Sequence, residues 1–131
     1  MTIGEACKLT GLSSKMIRHY EKTSLIKPVC RTQSGYRVYN NNDLNQLTFI
    51  RQSKELGFSL REIHSLLELW LNPLRESKRV KQITDQHLYR IEQKINALHS
   101  IQSTLRILSK QCNANETPNC AILEGLQPRG Y

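Results

Sequence analysis

Apolar residues along the chain recur mostly at intervals of three and four, with one stretch in which they alternate. The first spacing belongs to amphipathic helices and the second to strands. Ile3, Ala6, Cys7 and Leu9 form a short helical face, with Thr2 and Glu5 at the spacing of a capping box. Gly11 stands where a helix C-terminus favours a left-handed residue. The segment SSKMIRHYEK then predicts a second helix capped by Ser13 or Ser14. Met16, Ile17 and Tyr20 fall on its inner face, and Lys15, Arg18, His19 and Lys22 mostly on its outer face. Two short helices joined by a tight glycine-containing turn predict a helix-turn-helix.

In LIKPVCRTQSGYRVYN the pattern changes. Pro28 breaks helix, Ser34-Gly35 is a turn signal, and Val29 and Arg31 before it alternate like Tyr36 and Val38 after it. This predicts a small hairpin, or wing. A third helix follows, capped by Asn42 or Asp43, with Leu44, Leu47, Ile50 and Leu56 at helical spacing and Gly57 at its end. A fourth opens with a Ser59/Glu62 capping box and a Phe58/Ile63 staple. Its inner face is Leu60, Ile63, Leu66, Leu67 and Trp70, and Pro73 stops it. The charged ESKRVKQ predicts a hinge. From Val80 to Leu108 there is no Gly or Pro, and Leu88, Ile91, Ile95, Leu98, Ile101, Leu105 and Leu108 step by three and four. That is a coiled-coil seam. A lone helix with such a stripe is not stable in water, so a homodimer is expected. The chain closes with CNANETPNC, the apolar patch AILEGL and a frayed QPRGY.

The predicted fold is mostly α. Residues 1–72 form a winged helix-turn-helix DNA-binding domain, with the helix-turn-helix and wing in 1–40 and a second helix pair in 41–72. Residues 73–80 are a hinge, 81–110 a dimerisation helix, and 111–131 a metal-binding loop and tail.

Composition sharpens this picture. The hydrophobic share is only 38%, which favours an elongated shape or an obligate dimer over a large solitary core. The net charge is +8, and residues 1–40 hold seven Lys/Arg against two Glu. Positive charge gathered on one small module is the footprint of a polyanion binder. No run of eighteen apolar residues predicts a membrane span, and the N-terminus lacks a signal-peptide pattern. A cytoplasmic protein without a membrane partner is expected. No paired carboxylates, nucleophile–base set or phosphate loop appears, so an enzyme is not expected.

Four cysteines in a reducing compartment argue against a disulfide framework. Cys7 and Cys30 fit packing or bystander roles. Cys112 and Cys120 bracket seven residues that include no His or further Cys. A structural zinc site wants four ligands, whereas two thiolates suit a soft monovalent ion such as Cu(I). A reversible disulfide remains open as a second reading. His87 and His99 fit the surface of the long helix.

The segments TIGEACKLTGLSSKMIRHYEKTSLIKP and RTQSGYRVYNNNDLNQLTFIRQSKELGFSLREI, with the long helix after them, resemble the MerR family of transcriptional regulators over essentially the whole chain. The resemblance implies an antiparallel coiled-coil homodimer whose heads each read half of a pseudo-palindromic promoter. Effector binding would then bend and underwind the double-stranded DNA for RNA polymerase. It carries Lys15 and Arg18 onto base- and phosphate-contacting positions, with Arg18 suited to guanine. Tyr20 falls on a DNA-facing or packing position, Arg31, Tyr36, Arg37 and Tyr39 on a backbone clamp in the wing, and Lys54 on a phosphate contact.

Cys112 and Cys120, with Ser77 ahead of the long helix, resemble the copper-efflux, CueR-like branch. That branch senses Cu(I), Ag(I) and Au(I). The resemblance implies that the partner subunit's Ser77 lies near the cysteines, where the divalent-sensing branch is expected to have Cys. The partner subunit's Lys81 would compensate a bis-thiolate centre of net negative charge. Ala121 departs from the proline often found after the second cysteine. A redox-responsive regulator and a DNA architectural protein with an inert loop are the alternatives.

Overall fold

The computed structural model describes residues 1–112, 115, 118 and 120–128. It divides into two compact units, Met1–Thr84 and Asp85–Tyr131.

The first unit opens with α1 (Ile3–Thr10) and α2 (Ser14–Lys22). Thr2 caps α1 through a complete capping box with Glu5, and Ser13 caps α2 by accepting from the Met16 amide. Gly11 ends α1 at φ 74°, with the Arg51 side chain packed where a Cβ would stand. A left-handed residue beside a neighbouring side chain is a position for glycine. The wing is a two-stranded antiparallel hairpin of β1 (Cys30–Arg31) and β2 (Arg37–Val38), with Cys30 opposite Val38 and Arg31 opposite Arg37.

Two further helices complete the head: α3 (Asn41–Glu55) and α4 (Leu60–Leu71). Helix α3 packs on both α1 and α4. One cluster joins them, built on Ala6, Ile17, Tyr20, Leu25, Ile26, Val29, Tyr39, Leu47, Ile50, Ile63 and Leu67. This core holds the outward face of α2 and the wing in place.

Several boundaries differ from the sequence-based expectation. The cap of α3 is Asn40, not Asn42 or Asp43. Asn40 accepts from the Asp43 amide, and the Asp43 carboxylate accepts from the Asn40 amide. The long helix α5 runs Ser77–Gln111, so the hinge of 73–80 shrinks to the few residues before Ser77. Lys, Arg and Gln are good helix formers, and without Gly or Pro their charge marks an exposed face rather than a break. Leu56 and Leu60 are more exposed than their spacing suggested, because both lie at the α3–α4 turn. Trp70 is partly exposed but stacks on Phe49 at 4.8 Å.

The second unit holds the remainder of α5 and the short α6 (Ala121–Leu126). The predicted seam is present as a stripe: Leu88, Ile95, Leu98, Ile101 and Leu105 are all about half exposed in the single chain. His87, expected on the surface, is buried, with an Arg90 nitrogen 3.5 Å from its Nδ1. Among the described residues, no helix is long and apolar enough to cross a membrane.

Candidate metal site and nucleic-acid interface

The basic face of the head is built by α2 and the wing. Lys15, Arg18, His19 and Lys22 project from α2 and line one groove together with Glu21 and Arg37. Lys15 and Arg18 are exposed, as a groove-contacting role requires. In the wing, Arg31 donates from Nη1 to the Gly35 carbonyl at 3.0 Å, and Tyr36 is 74% exposed. Lys54 of α3 holds its Nζ 5.8 Å from the centre of the Tyr20 ring.

Two expected contacts need correction. Tyr20 and Tyr39 are core residues, 0% and 2% exposed, and their hydroxyls are enclosed without a hydrogen-bond partner. An enclosed phenol cannot donate to phosphate, so of the two roles weighed for Tyr20 the structure takes packing. Of the wing residues expected to contact the backbone, Arg31, Tyr36 and Arg37 keep their side chains at least partly exposed. Burial pushes the Tyr39 hydroxyl above its ordinary pKa, against the pull of the nearby Arg37.

Glu21 is the residue that sequence reasoning missed. Its carboxylate lies 3.4 Å from Arg37 Nε and 3.7 Å from Arg31 Nη2. The available signal was a lone acid within an otherwise basic outward face.

The cysteine pair is built by two helix ends. The Cys112 amide closes the last turn of α5 by donating to the Leu108 and Ser109 carbonyls. Cys120 occupies the position just ahead of α6. Their sulfurs are 3.5 Å apart, and both thiols are free. A disulfide bond is about 2.05 Å long, so this is an S–H···S contact, close enough for one soft ion to touch both sulfurs.

The Cys120 thiol is held below its ordinary pKa, first by the Leu123 amide and then by the Cys112 thiol and the Ile122 amide. Burial and Glu124 oppose the shift. Hydrogen bonds to the charged form favour it, and the thiolate is the metal ligand and nucleophile. Among the described residues no cluster of three or more His, Cys, Asp or Glu could hold a metal. Two thiol sulfurs in contact are a donor set that suits a soft ion.

Helix α6 lies tightly on α5. A Cβ at Gly125 would stand 2.5 Å from Leu108 Cδ2. Ser77 and Lys81, expected beside the cysteines of a partner subunit, lie in the first two turns of the long helix. They open α5, whose 35 residues span about 52 Å at the helical rise. Residues 113, 114, 116, 117 and 119 of the loop, and 129–131 of the QPRGY tail expected to fray, lie outside the described residues.

The profile of the family described as "MerR HTH family regulatory protein" matches residues 1–70, and that of "MerR, DNA binding" matches residues 44–108. The chain belongs to the MerR family. It is 44% identical to "Heavy metal-dependent transcription regulator 2" of Rhizobium meliloti, over 95% of this chain and 84% of that protein. It is 40% identical to the HTH-type transcriptional regulator CueR of Escherichia coli, over 96% of this chain and 93% of that protein. Among solved structures, it resembles the transcription regulator PbrR691 from Ralstonia metallidurans CH34 in complex with lead(II). That likeness has a TM-score of 0.85 and 29% identity, covering 97% of this chain and 99% of that one. Membership places this MerR-family chain among helix-turn-helix transcriptional regulators and not among enzymes.

Proposed function

We propose that the protein is a metal-responsive regulator that binds double-stranded promoter DNA as a homodimer. It senses Cu(I), with Ag(I) and Au(I) as alternatives, through Cys112 and Cys120. The observation that carries this reading is the sulfur pair 3.5 Å apart, with the Cys120 thiolate favoured by the first amides of α6. A relative at 40% identity named CueR and another named heavy metal-dependent support it.

The residues divide the work by position. Lys15 and Arg18 on α2 face the major groove, where an Arg fork matches guanine O6 and N7. Arg31, Tyr36, Arg37 and Lys54 hold phosphates and so fix the register of the head. The stripe on α5 pairs with a second copy, antiparallel, bringing the partner subunit's Ser77 and the partner subunit's Lys81 toward the cysteines. Cys112 at the end of α5 and Cys120 just ahead of α6 would hold a soft monovalent ion between their sulfurs, which would link the two helices. Ala121, Ile122, Leu123 and Leu126 then seat α6 against the dimer, and that seating biases the angle between the heads. A ligand acts this way only by preferring one of the two shapes. RNA polymerase reads the outcome through the altered shape of the promoter.

The test is transcription in vitro from the chain's own promoter, with Cu(I), Ag(I), Zn(II) or no metal, for wild type and Cys112→Ala. Activation by the monovalent ions, lost in the variant, is expected. Equal activation by Zn(II), or an unimpaired variant, refutes the reading.

The same sulfur pair favours one second reading, a thiol-redox switch. Two thiols would close to a disulfide, releasing two protons and giving two electrons to an oxidant such as a peroxide. Bound Cu(I) per protomer, set against free thiols titrated, separates the two.

A further inference from the structure

The outward face of α2 and the wing is basic except at Glu21. This residue stands one place before the end of α2 and its side chain is only 12% exposed. Its carboxylate reaches across to both strands of the wing, with Oε2 3.4 Å from Arg37 Nε and Oε1 3.7 Å from Arg31 Nη2. The two arginines are hairpin partners, directly opposite in register. Neither Glu21 Oε2 nor Arg37 Nε makes a hydrogen bond, and both atoms are shut off from solvent. The attraction between them is therefore one of charge, and water and salt screen it less than they would a surface pair. The same carboxylate lies in the groove lined by Lys15, Arg18, His19, Lys22 and Arg37.

We propose that Glu21 is a positioning residue for DNA recognition. It fixes the wing arginines against α2 before DNA arrives, and it lowers the affinity of this face for phosphate backbones of any sequence. The inference rests on the promoter-binding reading above. Long side chains lose rotamer freedom when they bind, and a side chain already held loses less. Phosphate contacts set register and orientation, so a fixed distance between wing and α2 passes into base readout. A negative charge within a basic groove also opposes the electrostatic term that makes up nonspecific binding. Glu21 thus weakens indiscriminate binding and strengthens the chosen site.

The experiment compares wild type, Glu21→Gln and Glu21→Asp on two duplexes at one ionic strength. One duplex has random sequence. The other is selected by the wild-type protein from a random library. Glu21→Gln removes the charge at nearly constant shape, and its affinity for the random duplex should rise about threefold to tenfold. Its affinity for the selected duplex should fall, so that the selected-to-random ratio drops about tenfold or more. Glu21→Asp keeps the charge but falls short of both arginines. It should lose selected-duplex affinity without gaining on the random one.

Thermal unfolding of each variant separates this from damage to the fold. Equal loss on both duplexes with a lowered midpoint would reduce Glu21 to a structural residue and overturn the proposal. A wild-type ratio in both variants would overturn it while leaving promoter binding intact. Absence of any DNA binding by wild type would overturn both.

Discussion

Replacing Gly125 by alanine sets two effects of known size against each other. The first is steric. The new Cβ would stand 2.5 Å from Leu108 Cδ2, 3.0 Å from Cδ1 and 3.4 Å from Cγ. Inserting a methylene into a packed contact costs about 1–3 kcal/mol. Leu108 is a flexible side chain and can swing aside, at about 0.5–1.5 kcal/mol for an off-rotamer angle. The second effect is intrinsic propensity, which favours alanine over glycine within a helix by about 1 kcal/mol. Here the methyl meets two branches of one leucine at once, so the steric effect should win by about 1 kcal/mol. That is roughly fivefold in the docking equilibrium of α6.

Amide hydrogen exchange over Leu123–Leu126 in the metal-free protein measures this directly. Exchange should quicken about fivefold in Gly125→Ala, while the unfolding midpoint of the head stays at the wild-type value. Adding Leu108→Ala should restore slow exchange by making room for the methyl. Slower exchange in Gly125→Ala alone would refute the reasoning, since propensity would then outweigh the close approach.

Two other consequences can be measured. Leu98 is 64% exposed on the α5 stripe, and burying a leucine contributes about 2 kcal/mol per copy. Leu98→Glu should therefore raise the dimer dissociation constant at least a hundredfold in sedimentation, and an unchanged dimer would remove the seam from the interface. At Cys120 the Leu123 amide favours the thiolate, so iodoacetamide labelling should reach half its maximum below the pH of an ordinary thiol. The thiolate's contribution to stability is then present above the unfolded thiol range and is lost as pH falls through the lowered folded value. Cys112→Ala should move the labelling midpoint of Cys120 up while leaving it below that of an ordinary thiol, because the Leu123 amide remains; a midpoint at the ordinary thiol value in the variant would contradict the proposed cause.

What could be read from sequence was mostly local. Thr2 with Glu5, Ser13, Ser59 with Glu62 and Gly11 all take their expected places. Each signal lies within a few residues of the backbone groups it satisfies. The run Asn40-Asn41-Asn42 offers three equivalent caps, and only the reciprocal bonds of Asn40 and Asp43 choose among them. Burial was less legible wherever it depends on packing from distant segments. His87 carries a polar ring yet is enclosed, and Tyr20 and Tyr39 carry polar tips yet lie in the core.

The same limit governs the candidate sites. The cysteine pair stands out by its spacing, but the lowered Cys120 pKa depends on α6 beginning at Ala121. Glu21 gains its meaning only after the hairpin folds Arg31 and Arg37 back onto α2.

The unbroken length of α5 also acts as a ruler. In an antiparallel pair related by a two-fold axis, two positions meet only if the axis crosses the helix midway between them. Ser77 and Cys112 have their midpoint between Lys94 and Ile95, where the exposed apolar groove begins. Seven residues inserted on the cysteine side of that point would keep the seam in phase. They would also carry each Cys112 about 10 Å beyond the partner subunit's Ser77. In such a pair the number of residues in this helix, and not only their kind, would determine which side chains surround the sulfurs.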